Sequence, residues 1–390
     1  MRILKTEQYI NEKLDIRPVT RTQLKELPQK VNKLTKKRNL LESFIKKNNL
    51  VYNPKTDRYD SKEHIWVKNN NLVDGHFPIK FGVIDGNFIC SDTRIKSLDG
   101  APTEVGGFFD CKRCNKLESL VGCPTIVKKD FSCNDCTKLK SLDGAPKYVG
   151  GEFDCSSTPI ISLKGIPQKI GGGIICSNTP IISLKDIPQK IGGGIICSNT
   201  KINTLEFLPK IFDELLNCDG CVKLMSLEGI PKNIKIVSVR GCNSLTSLEG
   251  LPMEMSRVDC SYCQSLKSLK GSPIKVEDFF CNNCKNLETL DGAPQTVSGL
   301  FRMDECINIK TLKGSPQYVG GDFDFFHCCL ETFDGAPQYI GGNFRGSCYY
   351  DYKDIKSIDG LGTIKGRVYI GNGDRYKEAF KSKYGITIST

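Results

Sequence analysis

Long apolar segments are missing from this chain of 390 residues, and no stretch approaches the ~18 consecutive apolar residues of a membrane-spanning helix. Histidine is scarce as well. The chain has three, His64, His76 and His327, and none lies at an interpretable spacing from a nucleophile and a carboxylate. We therefore expect no membrane span and no catalytic triad, and we predict that the protein is not an enzyme.

The opening residues are charged and lack the apolar run of a secretion signal, so we expect a cytoplasmic protein. The chain contains 20 cysteines. In a small secreted domain that number would indicate a disulfide framework, but this chain is long enough to bury an ordinary hydrophobic core. We predict that the cysteines are free thiols.

The net charge of +11 is concentrated near the N-terminus, because residues 1–70 hold 17 of the 55 Lys and Arg but only 8 of the 44 Asp and Glu. Apolar side chains recur at helical spacing over residues 24–45, which predicts an amphipathic helix or helix pair with a boundary at Pro28. We assign residues 1–50 to a basic helical segment. Its basic face is expected to be solvated, and the alternative is a nucleic-acid-binding arm made of Lys25, Lys30, Lys33, Lys36, Lys37, Arg38, Lys46 and Lys47.

A repeat of 21 or 22 residues dominates the rest of the chain. Its clearest marker is a proline, which recurs at positions 102, 124, 146, 167, 188, 209, 231, 252, 273, 294, 316 and 337. Residues 158–178 and 179–199 are identical except for Gly165 against Asp186, which indicates a tandem duplication. A fixed period of this length predicts a solenoid, in which each turn packs only against its neighbours.

Each repeat contains Phe-x-Cys or an equivalent, and the two apolar residues point to the same side of a strand. The Cys position is occupied in turn by Val67, Cys90, Cys111, Cys133, Cys155, Cys176, Cys197, Cys218, Val239, Cys260, Cys281, Met303, Phe325, Gly346 and Ile370. A turn this short has no room for a long helix on its return path. We predict a mostly β solenoid of about 15 rungs, with a parallel concave sheet and an extended convex side, plus the short α-helical N-terminal segment.

The solenoid is predicted to occupy residues 51–372, with a degenerate first rung at 64–78 that caps the stack. Residues 373–390 are predicted to form a C-terminal cap, with a helix from Arg375 to Tyr384 that ends at Gly385.

The repeat resembles the leucine-rich repeat Leu-x-x-Leu-x-Leu-x-x-(Asn or Cys)-x-Leu, with Cys133 in the sixth column and Cys136 in the ninth. The repeat sequence is most similar to that of uncharacterised repeat proteins of tailed bacteriophages and giant viruses. The resemblance implies a solenoid fold and a phage or viral origin, with the protein in a host cytoplasm or in a virion. It implies no known activity.

Paired cysteines such as Cys111 and Cys114 have the spacing of a zinc ribbon, but the repeat period alone would generate that spacing. The same columns also accept Thr93, Val239 and Met303, which are not thiolate donors. We therefore interpret the cysteines as small core residues and expect no metal and no cofactor. Zinc or another soft metal, and a redox switch, are the alternatives.

The predicted concave face carries tyrosine, phenylalanine and arginine mainly in the C-terminal rungs, and these residue types dominate interface energetics. We predict a non-catalytic scaffold that binds a protein of the host or virion. The alternatives are a structural virion component and nucleic-acid tethering by the N-terminal segment, and any single charged residue could simply be solvated. The predicted partner-binding residues are Arg257, Asp259, Tyr262, Asp278, Phe280, Arg302, Asp304, Asp324, Phe326 and Arg345.

Overall fold

The computed structural model describes residues 35–210, 212, 214–347, 355–371, 377–385 and 388–389. The chain divides into two units, Met1–Val51 and Tyr52–Thr390. In the first unit the described residues form helix α1 at 35–47, in which Phe44 is buried. The predicted helical residues 24–34 lie outside the described residues.

The second unit is a β-solenoid of about 14 turns. Strands are numbered in chain order. One ladder, the Phe-Cys sheet, contains the Phe-x-Cys segments. Its strands are β3 (Ile65–Trp66), β5 (Phe88–Ile89), β7 (Phe109–Asp110), β9 (Phe131–Ser132), β11 (Phe153–Asp154), β13 (Ile174–Ile175), β14 (Ile195–Ile196), β15 (Leu215–Asn217), β16 (Ile236–Ser238), β17 (Glu254–Asp259), β18 (Lys275–Phe280), β20 (Phe301–Arg302), β22 (Phe323–Phe326), β24 (Phe344–Ser347), β26 (Val368–Ile370) and β27 (Ile388–Ser389).

A second ladder, the Val sheet, lies on the return path and contains the short segment that precedes the glycine pair. Its strands are β1 (Val51–Asn53), β2 (Arg58–Ser61), β4 (Phe81–Ile84), β6 (Glu104–Val105), β8 (Ile126–Val127), β10 (Tyr148–Val149), β12 (Lys169–Ile170), β19 (Thr296–Val297), β21 (Tyr318–Val319), β23 (Tyr339–Ile340) and β25 (Thr363–Ile364). The longer β17 and β18 span both ladders. Strands of successive turns pair in parallel, as Phe153 does with Phe131 and Ile174.

The core is a set of columns that run along the stack. Phe88, Phe109, Phe131 and Phe153 lie above one another with nearly parallel rings, 5.3 to 5.5 Å between successive centroids. The Cys columns are buried, as predicted, and every cysteine of the ladder is a free thiol. Burial raises the pKa of the Cys133 and Cys155 thiols well above the usual value, so these cysteines stay protonated.

Glycine pairs form the corner between the two ladders because a side chain there would enter the previous turn. A Cβ on Gly192 would lie 1.8 Å from the carbonyl oxygen of Gly171. In most rungs three residues separate the inward residues of the two strands, as between Val149 and Phe153, and the strand is interrupted. Only two separate Met255 from Val258 in β17, and this strand continues through the corner.

The chain ends of the second unit contain little helix. Residues Asn69–Asn71 form a 3₁₀ turn, and helix α2 covers Lys377–Tyr384. The buried Phe380 packs against Phe333, and Gly385 has a φ of 65°, as expected for a residue that ends a helix. The other two predicted helical residues, 375 and 376, lie outside the described part. None of the helices in the described residues has the length and apolar character needed to cross a membrane.

Candidate protein-binding face

The ten predicted partner-binding residues all lie on the outward face of the Phe-Cys sheet, between β17 and β24. Eight of them are strand residues, Tyr262 lies three residues after the end of β17, and Asp304 lies two residues after the end of β20. The adjacent strands β17 and β18 are the two that run through the corner without a glycine pair. The residues therefore form one continuous group over five successive rungs.

Phe280 is the centre of this group. Its ring is half-buried between two guanidinium groups, with Arg257 5.7 Å and Arg302 5.8 Å from the ring centroid. Arg257 also forms an ion pair with Asp278 on the next strand, Nη2 to Oδ2 at 2.8 Å. An aromatic ring flanked by arginines offers an apolar surface with hydrogen-bond donors at its rim, a combination that favours protein interfaces.

Tyr262 is the second aromatic residue of the group and is 45% exposed. Its backbone φ is +64°, in the left-handed region that bulky residues rarely adopt, and its N–H donates to the carbonyl of Asn282 at 2.7 Å. Arg240 lies 5.5 Å from the ring centroid and pairs with Asp259 at 3.3 Å. The same left-handed conformation recurs at the equivalent position of other rungs, as at Arg113 and Asn283, so it belongs to the repeat. The exposure of its ring is what makes Tyr262 a candidate contact.

Three of the predicted acidic residues serve the fold through one carboxylate oxygen. Oδ1 of Asp278 accepts a hydrogen bond from the Leu300 N–H of the next turn at 3.0 Å. Oδ1 of Asp304 accepts from the Phe326 N–H at 2.7 Å, and that of Asp259 from the N–H of Ser261 at 3.0 Å. These bonds satisfy backbone donors along the stack. Burial raises the pKa of Asp304.

Asp324 and Arg345 form a closed ion pair. Asp324 is 3% exposed and accepts two hydrogen bonds from the guanidinium of Arg345, at 2.7 and 2.9 Å. Hydrogen bonding to Asp324 raises the pKa of Arg345. Arg302 Nε lies 3.0 Å from the same carboxylate but is not aligned for a hydrogen bond. The ion pair between Asp324 and Arg345 therefore connects adjacent turns, and few of its hydrogen-bonding atoms remain available to a partner.

The residues left available form what we call the docking cluster: Arg240, Arg257, Tyr262, Phe280 and Arg302. Of these, Arg240 was not predicted from the sequence. It directly follows Val239, which replaces the usual cysteine after β16, and no local pattern distinguishes it from a solvated surface arginine. Phe326 is half-buried on the same face.

The described part of the thiol ladder contains one place where a soft metal could be held. The sulfur atoms of Cys197, Cys218 and Cys221 lie within 4.8 Å of one another, and those of Cys197 and Cys218 are 3.4 Å apart. All three are buried, and the hydroxyl of Thr200 lies 3.2 Å from the Cys221 sulfur. Hydrogen bonding to Cys197 and Cys218 lowers the pKa of Cys221 to about 3, whereas the pKa values of Cys197 and Cys218 are raised. The trio therefore offers one thiolate and two protonated thiols, fewer than the four ligands of a structural zinc site.

Only part of the predicted nucleic-acid-binding arm lies within the described residues. Lys25, Lys30 and Lys33 lie outside the described residues. Lys36, Lys37, Lys46 and Lys47 are exposed on α1, and Arg38 is paired with Glu42 at 3.0 Å.

Comparison with protein-family models, with curated proteins and with solved structures finds no match to this chain.

Proposed function

We propose that the protein is a non-catalytic scaffold that binds another protein through the docking cluster. The observation that carries this proposal is the half-buried Phe280 ring flanked by Arg257 and Arg302 on an open sheet face. Aromatic and arginine side chains are the most common energetic centres of protein interfaces. The ion pairs around them hold the arginines in place and reduce the entropy lost on binding.

The test is capture of partners from the native source by wild-type protein and by the variant Tyr262→Ala with Phe280→Ala. Arg345 is left intact, since its removal would strand the buried Asp324 carboxylate. The matched control is Trp66→Ala, because Trp66 is also exposed and occupies the same strand position as Phe280 in the first rung. A partner lost by the double variant but kept by the control supports the proposal, and partners unchanged by both contradict it.

We also propose that the solenoid is a leucine-rich repeat of the short, cysteine-rich type, of phage or viral origin. Support comes from the buried sixth and ninth columns, such as Cys133 and Cys136, and from return paths that are extended rather than helical. In that setting the protein would act in the host cytoplasm or in the virion. Mass spectrometry of purified virus particles distinguishes these two locations. Stoichiometric abundance in the particles would favour the alternative of a structural virion component.

A further inference from the structure

Exposed lysines lie on or next to the return path of six successive rungs. They occupy three positions of the repeat: Lys147, Lys210 and Lys232 directly follow the proline, Lys169 and Lys190 come one residue later, and Lys129 comes two residues after β8. We call these six residues the lysine row. At ~4.8 Å per strand the row extends for more than ~20 Å along the stack. Among the described residues none of the six forms an ion pair.

The absence of acidic partners departs from the pattern elsewhere on the same surface. Lys275 pairs with Glu254 on the neighbouring strand at 3.2 Å, and Lys128 pairs with Glu104 at 2.8 Å. In the lysine row, by contrast, Lys169 lies beside Lys190, because Ile170 pairs with Ile191 in parallel register. Like charges opposite each other destabilise a sheet, so a bound anion would relieve a repulsion already present.

The duplication of residues 158–178 contributed to this surface, since Lys190 is the copy of Lys169. It does not account for the whole row, because Lys129, Lys147, Lys210 and Lys232 lie outside the duplicated turns.

The exposed apolar side chains Val121, Ile161, Ile182 and Met225 of these turns lie outside the strands. The glycine pairs that follow β10 and β12 carry no side chain, and their N–H groups, such as those of Gly171 and Gly172, already donate to the previous turn. The exposed large apolar side chain on β8, β10 and β12 is Tyr148, 40% exposed, which lies beside Lys169. A linear polyanion needs a run of cations and a ring for stacking, and these rungs supply both.

We propose that the lysine row binds the phosphate backbone of a single-stranded nucleic acid, with Tyr148 available to stack on a base. Each lysine would contact a phosphate and release a counterion, so binding would be strongly salt-dependent. The lysine row shares no residue with the docking cluster, so the proposal stands independently of the proposed protein-binding function.

The experiment measures binding of a fluorescent single-stranded oligonucleotide to the full chain over a series of salt concentrations. The test variant is Lys147→Gln, Lys169→Gln, Lys190→Gln. Its control is Lys270→Gln, Lys275→Gln, Lys313→Gln, which removes the same charge from lysines that are each paired with an acid. Thermal melts establish that both variants are folded.

We expect the test variant to lose at least ~10-fold in affinity at low salt and its slope of log K against log salt to fall by ~2, at ~0.7 per lost contact. The control should retain the wild-type slope. Equal losses in both variants, or wild-type binding by the test variant, would overturn the proposal, the second because it assigns binding to another segment such as α1. It would also fail if phosphatidylserine vesicles, but not the oligonucleotide, bound in a manner that depended on these lysines.

Discussion

The side chain three residues after the buried cysteine of a rung reaches a backbone carbonyl in one of two ways. A threonine hydroxyl donates within its own rung, as Thr158 does to the Cys155 carbonyl at 2.6 Å. A cysteine thiol donates to the previous rung, as Cys136 does to Cys111 at 3.2 Å. The column therefore accepts a small donor of either kind, a hydroxyl or a thiol.

Substitution of Cys155 tests this view of the ladder. Cys155→Val preserves the size of the side chain and removes only a weak donor, so we expect a loss of less than ~1.5 kcal/mol in the free energy of unfolding. Cys155→Asp buries a carboxylate and should cost more than ~3 kcal/mol, with faster hydrogen exchange first over residues 130–180. Urea melts and hydrogen exchange provide the measurements. An equal loss of unfolding free energy from both substitutions would indicate that the thiol has a bonding or metal-binding role.

The one difference between the duplicated turns falls at a left-handed position. Asp186 has a φ of 73°, whereas Gly165 and Gly144 occupy the equivalent positions at 90° and 89°. An L-residue in this region costs about 1–2 kcal/mol, and glycine loses about 0.5–1 kcal/mol in extra chain entropy. We therefore expect Asp186→Gly to stabilise the protein by up to about 1 kcal/mol in urea melts. The reverse change, Gly165→Asp, should destabilise it, and opposite signs would refute the strain argument.

Asp154 should make stability depend on pH. Burial raises its pKa above the usual 3.8, although Ser156 donates two hydrogen bonds to it. The folded protein then holds this proton more tightly than the unfolded chain, so stability is lost as pH rises from 3.8 through the folded pKa. Asp154→Asn should therefore raise the melting temperature at pH 7 but not below pH 3.8.

The opposite pH dependence of stability is expected from Asp92, whose pKa is lowered by hydrogen bonding to Arg113. Its contribution is present above the usual pKa and lost as pH falls, so Asp92→Asn should lower stability slightly at pH 7. Melting temperatures of both variants from pH 3 to 7 test the pair. Parallel shifts would mean that the two carboxylates have similar environments.

Among the secondary-structure elements, a corner of two residues is shared by the two strands that run through both ladders, β17 and β18, although the rung of β16 has the same corner length and is interrupted. Insertion of one glycine between Ser256 and Arg257 would give β17 the three-residue corner of most rungs, and we expect it to split into two short strands. Because most rungs tolerate that corner, the cost in stability should be below ~1.5 kcal/mol. Arg257 would be displaced from Phe280, so captured protein partners should be lost. If the partners were still captured, the docking cluster would not be the binding site.

The sequence predicted one ladder and missed the other. The Phe-x-Cys pattern indicated the buried columns because a strand places alternate residues on one face, and the column of Cys155 is buried as expected. The return path was predicted to be extended, but its pairing into the Val sheet was missed because a segment such as β10 offers one buried residue, Val149, whereas Phe153 and Cys155 form an alternating pair. The structural role of Asp278 was also missed, since its acceptor bond to Leu300 joins positions that match only after the turns are stacked.

For the whole molecule, the repeat predicts that a complete turn can be removed. Deletion of residues 179–199 joins Asn178 to Thr200, the same residue pair that the chain already has at Asn178 and Thr179. We expect a folded protein with a modestly lower melting temperature, because nearest-neighbour contacts stabilise a solenoid. Partner capture through the docking cluster should persist, while the salt slope for oligonucleotide binding should fall by ~0.7 with the loss of Lys190. Unfolding of this variant would show that the turns are not independent units.

The duplication also affects how the chain finds its register during folding. Either residues 158–178 or residues 179–199 can close against the turn that contains Cys136 and Cys155, since the two copies differ only at Gly165 and Asp186. A chain that selects the second copy extrudes the first as a loop and stacks every later turn one place too early. Both species then contain well-formed strands, and correction requires the stack on one side of the loop to open. Near-identity of neighbouring turns, which makes the stack easy to extend, thus allows slipped and correctly threaded molecules to form from the same sequence.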